Sequence, residues 1–450
     1  MIKVITYGTY DCLHRGHIRL LQRAKELGDY LIVGVTGDDF DMARGKINVQ
    51  QSLIERVEAV KALNIADEII IEEYEGQKID DIRRYDVDIF TVGSDWRGKF
   101  DYLNEYCKVV YLERTQGISS TDIRTGDRKI RLGFVGGNPT VLTKYFNESK
   151  FVNGIEVSGV YGKNDTANNV LEYVNTYEEL LDQSDAIYIV SKPQHHYEQI
   201  HTALMHGKHV LCESPVTLKK SEYTQLLEIA KEKNLILMDA IKTAYAPAYN
   251  RLLLLVKSGK IGDVVSVDAT CTSLKDINDP QYIEAGWSNF NMWAPTALLS
   301  IFQILGTEYN DCQIYSWFPQ DNLFDAFTKI NLQYSGAVAS VKVGARVKSE
   351  GELIISGTKG YAYVPAPWWK TDYFEIRYEN AENNKRYFYQ LDGEGIRYEL
   401  VSFVRSIVKQ RNGSYIESKV SEAITDITEK FYDKKQTILL KETNGQTVLP

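Results

Sequence analysis

Patterns of alternating strands and helices begin twice along this 450-residue chain, and this double start limits the possible fold more than any other feature. The first series runs from a hydrophobic strand at residues 2–7 to another at 109–112, and it ends in the polar turn 124–128. A second series begins with the strand at 129–135 and continues to about residue 245. Because strands that alternate with helices are typical of parallel sheets, we expect two successive doubly wound units.

The pattern changes from about residue 264. Apolar and polar residues then alternate with a period of two, which predicts an antiparallel sheet with one solvated face. Its strands are predicted at 264–270, 313–318, 327–334, 337–344 and 352–356, followed by helices at 395–410 and 418–430. The predicted fold class is α/β, with domains at residues 1–127, 129–245 and 246–450.

Composition excludes several classes of protein. The net charge of −9 and the sequence pI near 5.5 argue against a nucleic-acid binder, which should carry a basic footprint. Five scattered cysteines without a CxxC pair indicate neither a zinc site nor a disulfide framework, and they fit a reducing cytoplasm. No signal-peptide pattern opens the sequence and no apolar run could span a bilayer, so we expect a cytoplasmic protein without a membrane span.

The segment His14-Arg15-Gly16-His17 carries the strongest chemical signal. It lies where the first predicted strand leads into an amphipathic helix. Unpaired backbone N–H groups and the helix dipole favour anions at such a position, and Gly16 lets a phosphate approach the backbone. The two imidazoles can donate hydrogen bonds to phosphate oxygens that gain charge during transfer. Two surface histidines near a helix start are the structural alternative, but the whole chain has only seven histidines.

The first 125 residues resemble a known family in three motifs. The block from Gly8 to His17 resembles the nucleotidyltransferases with an HxGH signature. The segment 114–121 resembles the RTxGISTT element of those enzymes, with Ser120 in place of a threonine. Residues 93–100 resemble the GDDWEGKF stretch of the glycerol-3-phosphate cytidylyltransferases. The resemblance implies transfer of CMP from CTP to glycerol 3-phosphate or a related polyol phosphate, giving CDP-glycerol and pyrophosphate for teichoic-acid or capsule-type polymers.

The same resemblance assigns roles to individual residues. Catalytic roles, which stabilise charge on the transferring and leaving oxygens, are expected for His14, His17, Arg114 and Lys46. Nucleotide contacts are expected from Gly8, Thr9, Tyr10, Asp11, Gly16, Asp95, Thr115, Gly117, Ile118, Ser119, Ser120 and Thr121. Arg44, which replaces a lysine of the family, and Lys78 are expected to bind the substrate phosphate. Mg2+ is expected with CTP, and Asp11 and Asp95 are candidates to organise the site through Mg2+ or the histidines.

Residues 130–450 resemble the Gfo/Idh/MocA oxidoreductases. The resemblance rests on the segments 130–136, 197–199, 207–215 and 258–263. It implies an NAD(P)-binding Rossmann unit followed by an α+β domain built on an open antiparallel sheet. Cofactor contacts are expected at Gly136, Asn138, Lys163, His196, Glu213, Ser214 and Pro215.

Several positions depart from that family. Ser214 stands where the family places a lysine beside the nicotinamide and substrate, and a serine cannot supply that cation. Asn138 replaces a fingerprint glycine, so its side chain should crowd the approach of the pyrophosphate, although asparagine tolerates a left-handed backbone. Lys163 stands where NAD-dependent units carry a carboxylate, so NADP would be favoured over NAD.

Alternatives follow for both parts of the chain. Lys192, Lys242 and His196 lie near predicted carboxyl ends of strands and could replace the missing groups, or they could be structural. The second part is then either an NAD(P)-dependent oxidoreductase or a degenerate binding or oligomerisation module, and a homo-oligomer is expected. For the first part, adenylyl transfer from ATP is the alternative, since base contacts cannot be deduced from spacing.

Overall fold

The computed structural model describes residues 1–37, 51–74, 76–113, 129–162, 171–274, 288–319, 325–389, 391–434 and 436–440. These residues form two compact units. The first comprises Met1–Lys129 with Val152–Gly154, and the second comprises Ile130–Phe151 with Ile155–Pro450. In the part of the chain just defined, no helix is long and apolar enough to cross a membrane.

The first unit is a parallel sheet whose helices lie between successive strands. Its elements are β1 (Lys3–Gly8), α1 (Arg15–Lys25), β2 (Tyr30–Thr36), α2 (Leu53–Ala62), β3 (Glu68–Glu72), α3 (Gln77–Tyr85), β4 (Ile89–Gly93) and β5 (Lys108–Leu112). The strand order is β3-β2-β1-β4-β5, with all neighbours parallel. The order reverses between β1 and β4, and ligands of such sheets bind beyond the carboxyl ends of the strands at this point.

Both faces of this first sheet are covered. Val4 and Leu31 pack in one apolar cluster, while Ile5, Ile32 and Phe90 pack in another. Neighbouring residues of a strand point to opposite faces, so the unbroken apolar strands fill two cores. The sheet therefore presents its strand ends, not its faces, to a ligand.

The second unit begins with another parallel sheet. Its elements are β6 (Ile130–Gly136), α4 (Pro139–Ser149), β7 (Ile155–Gly162), α5 (Tyr177–Gln183), β8 (Ala186–Ile189), α6 (Pro193–Met205), β9 (His209–Glu213), α7 (Lys220–Glu232) and β10 (Leu237–Ala240). The order is β7-β6-β8-β9-β10. The strands predicted at 2–7, 109–112 and 129–135 correspond to β1, β5 and β6, and the reversal of order in the second sheet lies between β6 and β8.

A larger sheet completes the second unit. It is formed by β11 (Val264–Leu274), β12 (Asp311–Trp317), β13 (Phe327–Gln333), β14 (Val338–Gly344), β15 (Arg346–Val347), β16 (Leu353–Gly357), β17 (Tyr361–Val364), β18 (Tyr373–Arg377), β19 (Lys385–Phe388) and β20 (Thr437–Leu439). The accompanying helices are α8 (Pro247–Lys257), α9 (Asn289–Leu305), α10 (Ile396–Val408) and α11 (Ser418–Asp433). The strand order is β19-β18-β17-β16-β11-β14-β13-β12-β20, and β15 pairs with β11.

The pairing in this sheet is mixed. Most neighbours are antiparallel, as the alternating pattern predicted, but β11 pairs parallel with β14 and β12 pairs parallel with β20. Parallel pairing requires a long connection, and α9 and two further strands lie between β11 and β14 in the chain. The α/β class and the open sheet are confirmed, whereas the purely antiparallel pairing is corrected.

Candidate active site at the carboxyl end of the first sheet

The turn between β1 and α1 is strained and tightly packed. Tyr10 and Cys12 have left-handed backbones, with φ of 54° and 46°. Tyr10 is 1% exposed, and a Cβ on Gly8 would lie 3.0 Å from its ring. Non-glycine residues in left-handed conformations are uncommon and concentrate at functional sites. The geometry thus explains why a glycine ends β1.

The two histidines of this turn form a stacked pair. Their ring centroids are 3.9 Å apart, with an interplanar angle of 20°. His14 is the N-cap of α1, and its Nδ1 accepts a hydrogen bond from the N–H of Gly16 at 3.0 Å. This contact makes Nδ1 an acceptor, so a neutral His14 carries its proton on Nε2. The Tyr10 ring meets His17 edge-on at 5.5 Å and supports the stack.

Asp11 fastens the same turn to the start of α2. It is 1% exposed, and its Oδ1 accepts a hydrogen bond from the N–H of Gln51 at 3.0 Å. The N–H of Cys12 donates to Oε1 of Gln51 at 2.8 Å. These contacts give Asp11 a positioning role.

Arg56 is the residue that sequence reasoning missed. It is fully buried on α2, and Nη1 donates to the carbonyl oxygens of Thr9 at 2.6 Å and Thr36 at 2.8 Å. One guanidinium thereby joins the ends of β1 and β2. Arg56 and Val60 are both buried and four residues apart, and a charged residue at this helical spacing is the signal that could have identified it.

Asp95 lies across the strand-order reversal from the histidines. It belongs to the short 3-10 helix Ser94–Trp96, which follows β4 directly, and it is exposed. Since β1 and β4 are parallel neighbours, their carboxyl ends lie at one edge of the sheet. The geometry therefore allows Asp95 to face a nucleotide at this edge.

Lys78 lies in a polar network beneath that edge. It is buried and ion-paired with Glu72, and its Nζ lies 4.8 Å from the centroid of the Tyr7 ring. The hydroxyl of Tyr7 donates to Asp81 at 2.8 Å, and burial together with Asp81 strongly raises the pKa of Tyr7. A substrate phosphate at Lys78 would have to share this lysine with Glu72.

Several predicted site residues lie outside the described residues. They are Arg44, Lys46, Arg114, Thr115, Gly117, Ile118, Ser119, Ser120, Thr121 and Lys163.

In the second unit, Asn138 is the N-cap of α4. Its Oδ1 accepts hydrogen bonds from the N–H groups of Thr140 and Val141, at 3.0 and 3.3 Å. Its φ of −111° is extended, so the left-handed backbone allowed for this residue is not adopted. Pro139 has no N–H, and the donors that would meet a pyrophosphate are therefore occupied by the chain itself.

Gly136 preserves the close packing of a dinucleotide turn. A Cβ there would lie 2.8 Å from Val190 and 3.1 Å from Leu142. The neighbouring strand approaches equally closely, since a Cβ on Gly162 would lie 1.7 Å from the carbonyl oxygen of Gly136. The close packing of the two strands around Gly136 is thus present, while the N–H groups at the start of α4 are engaged by Asn138.

His196 connects two strand ends. It is 1% exposed, and its ring nitrogens lie 2.9 Å from the carbonyl oxygen of Pro215 and 3.0 Å from that of Ser191. Burial lowers the pKa of His196 to about 4, so it is neutral near pH 7. These contacts make it a structural residue.

The position of the missing family lysine lies beside two acids, the buried Asp239 and the partly buried Glu213. Ser214 is 3.4 Å from Oδ2 of Asp239, and burial raises the pKa of Asp239 to about 7. Glu213, which ends β9, accepts a hydrogen bond from Tyr145. Burial raises the pKa of Glu213 as well.

Glu399 is a second residue that sequence reasoning missed. It is fully buried on α10 and accepts a hydrogen bond from Tyr188. Burial and the neighbouring Glu213 raise the pKa of Glu399 to about 8. It shares an apolar helix face with Ile396 and Phe403, at spacings of three and four residues, which is the signal that could have identified it.

Two different protein families match the two parts of the chain, and their boundary agrees with the boundary between the two units. The cytidylyltransferase-like family matches residues 5–126, and the oxidoreductase family with an NAD-binding Rossmann fold matches residues 130–240. The glycerol-3-phosphate cytidylyltransferase of Bacillus spizizenii is 50% identical over 124 residues, which are 28% of this chain and 95% of that protein.

Relatives of the second unit are more distant. The trans-1,2-dihydrobenzene-1,2-diol dehydrogenase of Oryctolagus cuniculus is 25% identical over 268 residues, covering 57% of this chain and 80% of that protein. The 3-ketoreductase KijD10 from Actinomadura kijaniata, solved with NADP and TDP-benzene, superposes with a TM-score of 0.60 at 19% identity. That alignment covers 70% of this chain and 100% of the 3-ketoreductase, and it shows a shared fold.

Proposed function

The chain belongs to the cytidylyltransferase-like family through residues 5–126, and on this premise we propose that its first unit makes CDP-glycerol or a closely related CDP-polyol. A phosphate oxygen of the polyol phosphate attacks the α-phosphorus of CTP, and the bond to the departing pyrophosphate breaks. The observation that supports this most is the 50% identity over nearly the full length of a glycerol-3-phosphate cytidylyltransferase.

The histidine pair supplies the chemistry in this proposal. With Nδ1 of His14 engaged by Gly16, the Nε2–H is the group that can donate to a phosphoryl oxygen. His17 is held against it by stacking, and the start of α1 adds a favourable dipole for the same anion. Arg114 and Lys46 are proposed to neutralise the pyrophosphate, while Asp95 is the candidate to hold Mg2+ that arrives with CTP.

Pyrophosphate release by the full chain tests the proposal. CTP and ATP are each offered with glycerol 3-phosphate, glycerol 2-phosphate and pentitol phosphates. We expect turnover with CTP and one of these acceptors, and loss of about 100-fold or more in kcat for His14→Ala and for His17→Ala. Turnover with ATP alone would favour the adenylyltransferase alternative, and unchanged activity in both variants would reject the assignment.

His14→Asn separates chemistry from helix capping. Asparagine is a good N-cap, so this variant keeps an acceptor for the Gly16 N–H but removes the imidazole. We expect His14→Asn to be as inactive as His14→Ala while retaining the thermal stability of the wild type. If His14→Asn were active, His14 would serve only as a cap.

For the second unit we propose weak, NADP-preferring dinucleotide binding within an oxidoreductase-like domain. The family match and the fold shared with an NADP-bound reductase support binding. The Ser214 position and the capped start of α4 support the alternative, a degenerate binding or oligomerisation module. Fluorescence titration of the full chain with NADPH and NADH distinguishes them, because saturable binding of neither would reject the oxidoreductase proposal.

The proposed enzyme is a cytoplasmic homo-oligomer. Sedimentation velocity of the full chain tests its assembly, and a monomer at micromolar concentration would contradict it.

A further inference from the structure

Three lysines from different parts of the second unit converge on one carboxylate. Lys144 lies on α4, Lys242 follows β10, and Lys370 ends the short 3-10 helix Trp368–Lys370. Lys370 is 2.8 Å from Oε1 of Glu394 and Lys242 is 3.5 Å from Oε2, to which Lys144 also donates. All four side chains are one-quarter to two-fifths exposed. This lysine cluster is therefore accessible to a dissolved ligand.

The lysine cluster carries more positive charge than its carboxylate can balance. Partial burial and the charges of Lys242 and Lys370 lower the pKa of Lys144, despite its bond to Glu394. Partial burial raises the pKa of Glu394, but hydrogen bonds from Lys144 and Lys370 outweigh it and bring that pKa to about 2. One carboxylate thus faces three ammonium groups.

Neighbouring acids reduce this surplus only in part. Glu213 and Glu399 both face Lys242, and burial raises the pKa of each of these carboxyls. With a pKa of about 8, Glu399 is mostly protonated near pH 7. Arg397, the next cation along the chain, is already bound by Glu148 and Asp392. With Glu213 ionised, the three lysines, Glu394 and Glu213 keep a net charge of +1, while the adjacent network of Arg397, Glu148 and Asp392 carries −1.

A strained turn presents Glu394 to the lysines. Its backbone is left-handed, with φ of 53°, and it lies between Gly393 at 57° and Gly395 at 94°. The turn rests against Lys242, since a Cβ on Gly395 would lie 2.9 Å from the carbonyl oxygen of that lysine. A left-handed glutamate persists only where its surroundings stabilise it. The carboxylate is therefore held as an internal anion at a cationic site.

We propose that the lysine cluster binds the phosphoryl group of a small phosphorylated polyol or sugar, and that Glu394 occupies its place in the free protein. Lysine ammonium groups are common phosphate ligands, and a dianion balances the surplus charge better than one carboxylate. Glu213 ends β9 and Lys242 follows the adjacent β10, so the cluster lies at the carboxyl edge of the parallel sheet. Trp369, the neighbour of Lys370 in the chain, is partly exposed, and its ring centroid lies 4.9 Å from that of Trp293.

Calorimetric titration of the full chain with inorganic phosphate tests the proposal. We expect Lys242→Met and Lys370→Met each to weaken phosphate binding about fivefold or more, because each removes a charge-assisted hydrogen bond. The matched control Lys233→Met removes an exposed lysine elsewhere in the unit and should change nothing. Phosphate bound in the first unit is common to all variants and cancels in the comparison.

Glu394→Gln keeps the test decisive if a lysine variant fails to fold. Removal of the competing carboxylate should tighten phosphate binding about threefold or more, an increase that misfolding cannot produce. Parallel titrations with glycerol 3-phosphate and NADPH identify the source of the phosphoryl group. If the variants change the affinity for glycerol 3-phosphate alone, the phosphoryl group belongs to a small substrate. If they also change the affinity for NADPH, it belongs to the dinucleotide. Unchanged phosphate affinity in all three cluster variants would overturn the proposal.

Discussion

At the scale of single residues, the turn that carries the two histidines is held by a fully buried arginine. Arg56 bonds the carbonyl oxygens of Thr9 and Thr36, and it thereby fixes the turn that carries the histidines. A buried guanidinium is costly unless its donors are satisfied, and here strand ends satisfy them. The positions of His14 and His17 consequently depend on the packing of three elements, β1, β2 and α2.

Arg56→Met should destabilise the first unit by about 2–4 kcal/mol, because two buried carbonyl oxygens lose their donors. Amide hydrogen exchange of the full chain would detect this as faster exchange in β1 and β2. The exposed Arg84→Met is the matched control and should leave exchange unchanged. Wild-type protection in Arg56→Met would show that the arginine is dispensable.

Glu399 should make the second unit less stable as pH rises. Its folded pKa of about 8 lies above the ordinary value, so between about pH 4.5 and pH 8 the native state binds more protons than the unfolded state. Stability relative to Glu399→Gln, which keeps an acceptor for Tyr188, should fall by a few kcal/mol across this window. Thermal denaturation at pH 5 and pH 8 measures this loss of stability. The control Glu232→Gln changes an exposed glutamate and should lose as much stability between the two pH values as the wild type.

At the scale of elements, the two parallel sheets use the same helix position differently. The start of α1 is capped by His14, whose Nδ1 accepts the N–H of Gly16. The start of α4 is capped by Asn138, whose Oδ1 takes two N–H groups that a pyrophosphate would need. In the proposed reaction the first unit offers its helix N-terminus to an anion, whereas the second closes it with its own side chain.

Asn138→Gly should tighten NADPH binding by the second unit. The change frees the N–H groups of Thr140 and Val141 and costs only a few tenths of a kcal/mol in helix stability. Asn138→Asp is the matched control, because it retains the cap and adds a charge that repels pyrophosphate. In a fluorescence titration, Asn138→Gly should bind NADPH more tightly than the wild type, and Asn138→Asp more weakly. Equal NADPH affinities would show that the Asn138 cap does not limit binding.

At the scale of the whole molecule, the chain consists of two compact units with separate cores. The first corresponds in length to a relative that is an independent protein, since the match covers 95% of it. Residues 1–129 expressed alone should therefore release pyrophosphate from CTP with a kcat within about threefold of the full chain. The fragment carrying His14→Asn should be inactive, and an inactive wild-type fragment would mean that the second unit is required for catalysis.

Much of the large sheet could not be predicted from its local pattern. Strands β17, β18 and β19 went unpredicted. In β18 three consecutive residues are buried and β19 is almost wholly exposed, so neither strand alternates between a buried and an exposed face. The parallel partnership of β11 and β14 was unpredictable for another reason. Whether β11 and β14 pair in parallel depends on how the connection that contains α9 runs through the folded protein. The residue pattern of either strand carries no information about that connection.

The sequence alone determined the double start of the fold, the period of its strands and the position of the histidine pair at a strand-to-helix turn. These features follow from the local period of apolar residues and from the conformational freedom of glycine at turns. Both are encoded within a few neighbouring residues. Only the tertiary structure decided that Arg56 anchors that turn, that Asn138 closes its own helix, and that the lysine cluster forms around Glu394. Lys144 and Glu394 are 250 residues apart, and contacts between such distant residues arise only when the elements pack.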